Sequence, residues 1–143
     1  MAAARIVVVD DEKSARDALR AILTDEGFEV AEAADGEEAL ALMPGFAPDA
    51  VLADVRMPKM DGLTFLRRCR EEGHSAVFVM MTAFASIETA VEVMRAGAES
   101  YLVKPIDVNA VLVVLEKALE KHRLQRDADS LRARLHERYR FHS

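Results

Sequence analysis

The stretch "VLADVRMPKMDG", residues 51–62, runs apolar and then sets Asp54 where the apolar character stops, with Pro58 four residues later. A strand that is apolar along its whole length is covered on both faces, as in a parallel sheet, whereas a half-exposed strand alternates. A carboxylate that closes such a strand stands at its carboxyl end. That end is the rim at which open α/β sheets hold their ligands.

Working outward, short β-branched runs alternate with segments of helical period. "RIVVVD" (5–10) predicts a buried strand, and Ala15, Ala18, Leu19, Ile22 and Leu23 share one face of a following helix that stops at Gly27. "FEVAEA" (28–33) alternates like an edge strand, "DGEEALALM" (35–43) is a helix opened by an Asp-Gly cap, and "AVLAD" (50–54) is apolar again. "LTFLRRCREEG" (63–73) predicts a helix, "AVFVMMT" (76–82) a buried strand, "SIETAVEVMRAG" (86–97) a capped helix ending at glycine, and "SYLV" (100–103) a fifth strand. Five β-α units of this kind imply a doubly wound α/β fold, a parallel sheet with right-handed crossovers and helices on both faces.

The bulk numbers bound the rest. With 143 residues, 51% of them hydrophobic, the chain accommodates one domain with a sizeable core and an appended segment. Net charge is −6, but residues 1–115 hold 20 acidic and 11 basic side chains while residues 116–143 hold 5 and 8. An acidic body repels nucleic acid, and a tail whose basic residues are interspersed with Glu and Asp is a solvated helix, so no direct nucleic-acid binding is expected of this segment. No apolar run approaches a membrane span and no leader-like segment precedes the first strand, which makes a cytoplasmic protein with no membrane partner the default. A single cysteine, Cys69, excludes an internal disulfide and an all-cysteine metal site and is expected to be a helix residue without chemistry. His74, His122, His136 and His142 are expected to be solvated surface residues.

The predicted strand ends carry Asp10 and Asp11, then Asp54, Thr82 and Lys104. Each alone has an ordinary explanation: Asp11 as a helix cap, Thr82 as a turn residue, Lys104 as a surface lysine, Met57-Pro58 as a turn. Together they place three carboxylates on one edge, a strained arrangement unless a cation and Lys104 offset the charge. Oxygen-only donors point to Mg2+ (or Mn2+) rather than zinc, with room left for a phosphoryl oxygen. A carboxylate can attack phosphorus, and Asp54 is the best-placed nucleophile.

At this point "VVVDDE", "ADVRMPKMDG", "MTAFAS" and "SYLVKPID", in this order and each at a strand end, resemble the receiver domains of two-component response regulators over residues 5 to about 120. The resemblance implies a flavodoxin-like sheet of order 2-1-3-4-5, Asp54 as phospho-acceptor, and a sensor histidine kinase as phosphodonor. It implies Asp11 and Asp54 as direct metal ligands, Asp10 acting mainly through water, and the backbone carbonyl of Arg56 completing the protein's share. Lys104 would pair with the phosphate, a cis peptide would precede Pro105, and Thr82 and Tyr101 would form a switch pair. Such a protein is not an enzyme in the turnover sense; its chemistry is Mg-dependent self-phosphorylation and dephosphorylation.

"AFASIETAVEVMRAGAESYLVKPID" resembles the receivers of NtrC-type activators, in which the receiver precedes an ATPase that acts on sigma-54 RNA polymerase. "LRARLHERYRF" is similar to the linker before that ATPase, so residues 1–120 are expected to be the receiver and 121–143 a helical linker toward an ATPase domain that this segment lacks. On the helix expected over 108–139, Leu112, Leu115 and Leu119 fit one stripe and Leu124, Ala128, Leu131 and Leu135 another, out of heptad register between Leu119 and Leu124. A homodimer through this linker helix and the face of the fourth helix, fifth strand and fifth helix is expected; a helix folded back on its own domain is the alternative. Among other classes, an aspartyl phosphohydrolase of the haloacid dehalogenase type is disfavoured, because Arg56 stands where that family has its second carboxylate. A stand-alone receiver acting by protein contact or phosphate relay is the remaining alternative.

Overall fold

The computed structural model describes residues 3–142, with side chains described as far as Arg138. In chain order the elements are β1 (Arg5–Val9), α1 (Lys13–Asp25), β2 (Glu29–Ala33), α2 (Gly36–Phe46), β3 (Ala50–Asp54), α3 (Gly62–Glu71), β4 (Val77–Thr82), α4 (Ile87–Arg95), β5 (Ser100–Val103) and α5 (Val108–His142). All neighbouring strands pair in parallel, in the order β2-β1-β3-β4-β5. The expected doubly wound sheet of flavodoxin type, with a long C-terminal helix, is the fold.

Strand residues alternate between two cores because successive side chains leave a strand on opposite sides. Ile6 and Val8, Ala50 and Leu52, and Val77, Val79 and Met81 pack with Leu19 and Leu23 of α1 and with Val111, Leu115 and Ala118 of α5. Val7 and Val9, Val51 and Ala53, and Phe78 and Met80 pack with Met43 of α2, Phe65, Leu66 and Cys69 of α3, and Val93 of α4. Each fully buried large side chain of this kind is worth roughly 1.5–3 kcal/mol relative to exposure. Burial also pushes the Cys69 thiol up to about 12, which leaves it a small apolar residue, as expected.

The helix starts follow local rules. Asp35, Asp61 and Ser86 each cap a helix by accepting the N–H three residues on, from Glu38, Thr64 and Thr89. Two expectations need correction. Helix α2 runs beyond residue 43 to Phe46, through Pro44, because a proline in the last turn forfeits a single ladder bond and Ala47, at φ 48°, donates to the Met43 carbonyl to close the helix. His74 and His122 are half-buried rather than solvated, and burial holds His122 below the ordinary histidine range, reinforced by Arg126. His136 is exposed, and the His142 side chain lies outside the described residues.

The two leucine stripes of α5 have different fates. Leu115 is fully buried against the sheet, with Leu112 and Leu119 partly buried beside it, whereas Leu124, Leu131 and Leu135 are exposed at 56%, 56% and 44%. The register break marks where the helix leaves the body. Past it, Lys121 with Glu99 at 3.0 Å and Arg126 with Asp49 at 3.4 Å are exposed pairs that tether α5 only weakly. We expect Leu115→Ala to lower the unfolding free energy by about 2–5 kcal/mol and Leu131→Ala to change it by less than about 0.5 kcal/mol in denaturant titrations at low protein concentration.

Candidate functional site

Parity and register assemble the site. Asp10 continues the Ile6–Val8 alternation, Asp54 continues Ala50–Leu52, and Lys104 continues from Leu102, so all three belong to the sheet face covered by α1 and α5. Val9 pairs with Ala53, which sets Asp10 beside Asp54, and the Asp10 N–H donates to the Ala33 carbonyl at 3.1 Å. Thr82 falls on the other face, in line with Phe78 and Met80, and Tyr101, paired with Met80, packs on that face too.

The three groups on the first face meet directly. Lys104 Nζ donates to Asp10 Oδ2 at 2.8 Å and to Asp54 Oδ2 at 2.7 Å. The remaining oxygens are held by backbone: Asp10 Oδ1 accepts from the Glu12 N–H at 3.0 Å and Asp54 Oδ1 from the Arg56 N–H at 3.1 Å. Asp10 is fully buried and Asp54 is 7% exposed, while Asp11 is exposed; one carboxylate oxygen of each lies within 4.8 Å of the others. Three carboxylates thus face one ammonium. Burial works against the charge on Lys104, but the hydrogen bonds and charges of Asp10 and Asp54 outweigh it and raise its pKa above the ordinary lysine value.

The loops leave little freedom. Gly62 must be glycine, since a Cβ there would lie 2.2 Å from the Asp54 carbonyl oxygen, and its N–H donates to Val55 O at 2.8 Å. That close approach folds "RMPKMDG" back over the end of β3, with Lys59 at φ 66° in the turn. The Val55 N–H donates to Met81 O at 2.8 Å. Thr82 is buried; its Oγ1 accepts from the Phe84 N–H at 3.0 Å and its carbonyl from the Lys104 N–H at 2.7 Å. The Lys104-Pro105 peptide is cis.

The structure therefore brings together Asp10, Asp11, Asp54 and Lys104, with Thr82 and Tyr101 both on the opposite face of the sheet. Asp11 is not the cap of α1, whose N-cap position is held by Glu12 without a side-chain bond. Two contacts were not read from the sequence. Arg56 places its guanidinium 4.6 Å from the Phe84 ring centre, joining the loops after β3 and β4. Arg16 Nη1 donates to the Asp10 carbonyl at 2.8 Å. Neither has a spacing signature: the Arg56 and Phe84 loops are matched only by the fold, and an arginine six residues after an aspartate does not announce a bond to that residue's carbonyl.

A model of the response regulator receiver domain matches residues 6–116. The chain belongs to that family. The receiver is 45% identical over 114 residues to the transcriptional regulatory protein ZraR of Salmonella typhimurium, covering 80% of this chain and 26% of ZraR. Among solved structures it resembles NtrX from Brucella abortus, with a TM-score of 0.84, 38% identity, and coverage of 92% of this chain and 30% of that one. It also resembles a CheY-like receiver domain protein from Methanospirillum hungatei, with a TM-score of 0.83, 30% identity, and coverage of 87% and 99%. The chain spans about a quarter of the length of curated relatives such as ZraR.

Lys104→Met leaves two buried carboxylates without their counter-ion. In metal-free buffer at neutral pH we expect a loss of about 3 kcal/mol in unfolding free energy. Because its pKa is raised on folding, Lys104 stabilises fully below the unfolded lysine value, and that contribution is lost as pH climbs through the folded one. Denaturant titrations from neutral pH to above about pH 10 should show the wild type losing this contribution and Lys104→Met lacking that loss.

Proposed function

We propose that the receiver accepts a phosphoryl group on Asp54 from a sensor histidine kinase in a reaction that requires Mg2+ (or Mn2+). The observation that carries this is the excess of carboxylate over ammonium at the rim, where Asp54 is fixed by the Arg56 N–H and Lys104. Hard oxygen donors this close suit a magnesium-sized ion that keeps several waters. Asp11, Asp54 and the Arg56 carbonyl would hold it, with Asp10 acting mainly through water. When bound, the metal offsets the negative charge that would repel an incoming phosphoryl group.

The residues of the chain do the rest. An Asp54 Oδ–P bond forms as the P–N bond of a phosphohistidine breaks, and the imidazole leaves with the electron pair. Lys104 Nζ, already hydrogen-bonded to Asp54, turns one donor to a phosphoryl oxygen, and the Thr82 hydroxyl leaves the Phe84 N–H to bind another. Tyr101 lies on the same sheet face as Thr82, and among the described residues its buried hydroxyl has no hydrogen-bond partner, a cost that a rearrangement of Thr82 can relieve. The exposed apolar row Ile87, Val91 and Met94 of α4, with Val103 of β5, is the surface that would respond.

Output is proposed to follow the NtrC-type resemblance. Residues 1–120 act as the receiver and 121–143 as the linker to an ATPase domain of a sigma-54-type transcriptional activator, a direction in keeping with ZraR being a transcriptional regulatory protein. Leu124, Ala128, Leu131 and Leu135 are spaced 4, 3 and 4 along α5 and support a homodimer in which two linker helices pair, with the α4, β5 and α5 face adding contact. A stand-alone receiver is the second reading, since the M. hungatei chain is matched over 99% of its length. The exposed second stripe of α5 favours the linker.

Incubation with acetyl phosphate and Mg2+ should add one phosphoryl mass to the wild type and none to Asp54→Asn, with none added in a chelator. The same mass gain in Asp54→Asn overturns the assignment. Sedimentation at micromolar concentration should show a dimer for the wild type and a monomer for Leu124→Ser combined with Leu131→Ser. A double variant as dimeric as the wild type would remove the linker from the contact.

A further inference from the structure

Asp11 is the member of the acidic cluster that the structure holds least directly. It is exposed, and among the described residues no hydrogen bond reaches its carboxylate, whereas Asp10 and Asp54 are each bound by Lys104 and by a backbone N–H. Its oxygen nevertheless lies within 4.8 Å of theirs.

What places it is the peptide plane between residues 10 and 11. A trans peptide holds its C=O and N–H antiparallel in one rigid plane, so fixing the Asp10 carbonyl fixes the direction from which Asp11 leaves. Arg16 does this, donating from Nη1 at 2.8 Å, with its side chain 16% exposed. The same guanidinium has its Nε 3.8 Å from Glu32 Oε1, a buried oxygen that no hydrogen bond reaches among the described residues, and Glu32 Oε2 is taken by Arg20 at 2.7 Å. Glu32 of β2 thus lies beside Arg16, and the bond from Arg16 to the Asp10 carbonyl ties the loop after β1 to α1.

We infer that Arg16 is a positioning residue for the metal-binding loop: through the Asp10 carbonyl it sets where Asp11 stands, and so sets the affinity of the site for a divalent cation. The inference rests on the proposed metal dependence. Partners that orient a ligand commonly change metal affinity about tenfold or more when removed. Lysine at this position keeps the charge but lacks the rigid planar guanidinium that bonds the Asp10 carbonyl.

Mg2+ titration by calorimetry, paired with denaturant stability, tests it on five proteins. The wild type should bind Mg2+, Arg16→Met about tenfold more weakly, and Arg16→Lys in between. Arg20→Met, which removes a cation from Glu32 but touches no part of Asp10, should keep wild-type affinity. Leu23→Ala, at a fully buried position near the far end of α1, should lose stability without losing affinity, which separates positioning from general loosening. If Arg16→Met fails to fold, Arg16→Lys carries the test, and wild-type affinity in that variant overturns the inference. Wild-type affinity in a folded Arg16→Met overturns it equally. A wild type that binds no Mg2+ shows that the metal dependence itself has failed.

Discussion

One ammonium group organises this molecule. Lys104 leaves the end of β5 and reaches over the end of β4 to Asp54 on β3 and Asp10 after β1, bonding both within 2.8 Å. That span is possible because β4 closes with Thr82, whose side chain belongs to the opposite face, and because a lysine stem is long enough to cross one strand. Two buried carboxylates would repel one another without the ammonium, and a buried ammonium would be costly without them. The sheet order, the parity of three strand ends and the glycine contact behind Asp54 all serve that meeting point.

The same arrangement separates two jobs. The α1 and α5 face carries the charge chemistry, and the α4 face carries Thr82 and Tyr101. The Lys104 N–H donates to the Thr82 carbonyl, so the backbones that bear the ammonium and the hydroxyl are tied together although their side chains diverge. On the proposed reading, a phosphoryl group bound at the first face draws on the hydroxyl of the second, and the unsatisfied Tyr101 hydroxyl lies where that change would be felt.

Much of this was legible in the chain. The all-apolar runs ending at Asp10, Asp54 and Thr82 predicted buried parallel strands, and the same runs put the chemistry at one rim, where Asp10, Asp11, Asp54 and Lys104 do converge. The stop of α2 was misread at Met43, since a proline reads as a break although its missing N–H costs little in a last turn. The break in heptad register between Leu119 and Leu124 was visible in the chain, but not what it separates; burial of Leu115 shows that the first stripe belongs to the body. The Arg56–Phe84 pair was not legible because it joins loops brought together by the finished sheet, and Arg16 was not because a bond to a backbone carbonyl six residues back leaves no residue-type signal.

The central claim is that this rim is built to hold a phosphoryl group on Asp54 beside a divalent cation. A crystal structure of the protein grown with Mg2+ and beryllofluoride examines it most directly. The account predicts beryllium bonded to an Asp54 carboxylate oxygen, a fluoride within hydrogen-bond distance of Lys104 Nζ and another of Thr82 Oγ1, and a cation bound by Asp11 and Asp54. Beryllofluoride on a different side chain, or an Asp54 still bonded to Lys104 alone under saturating ligand, would contradict it.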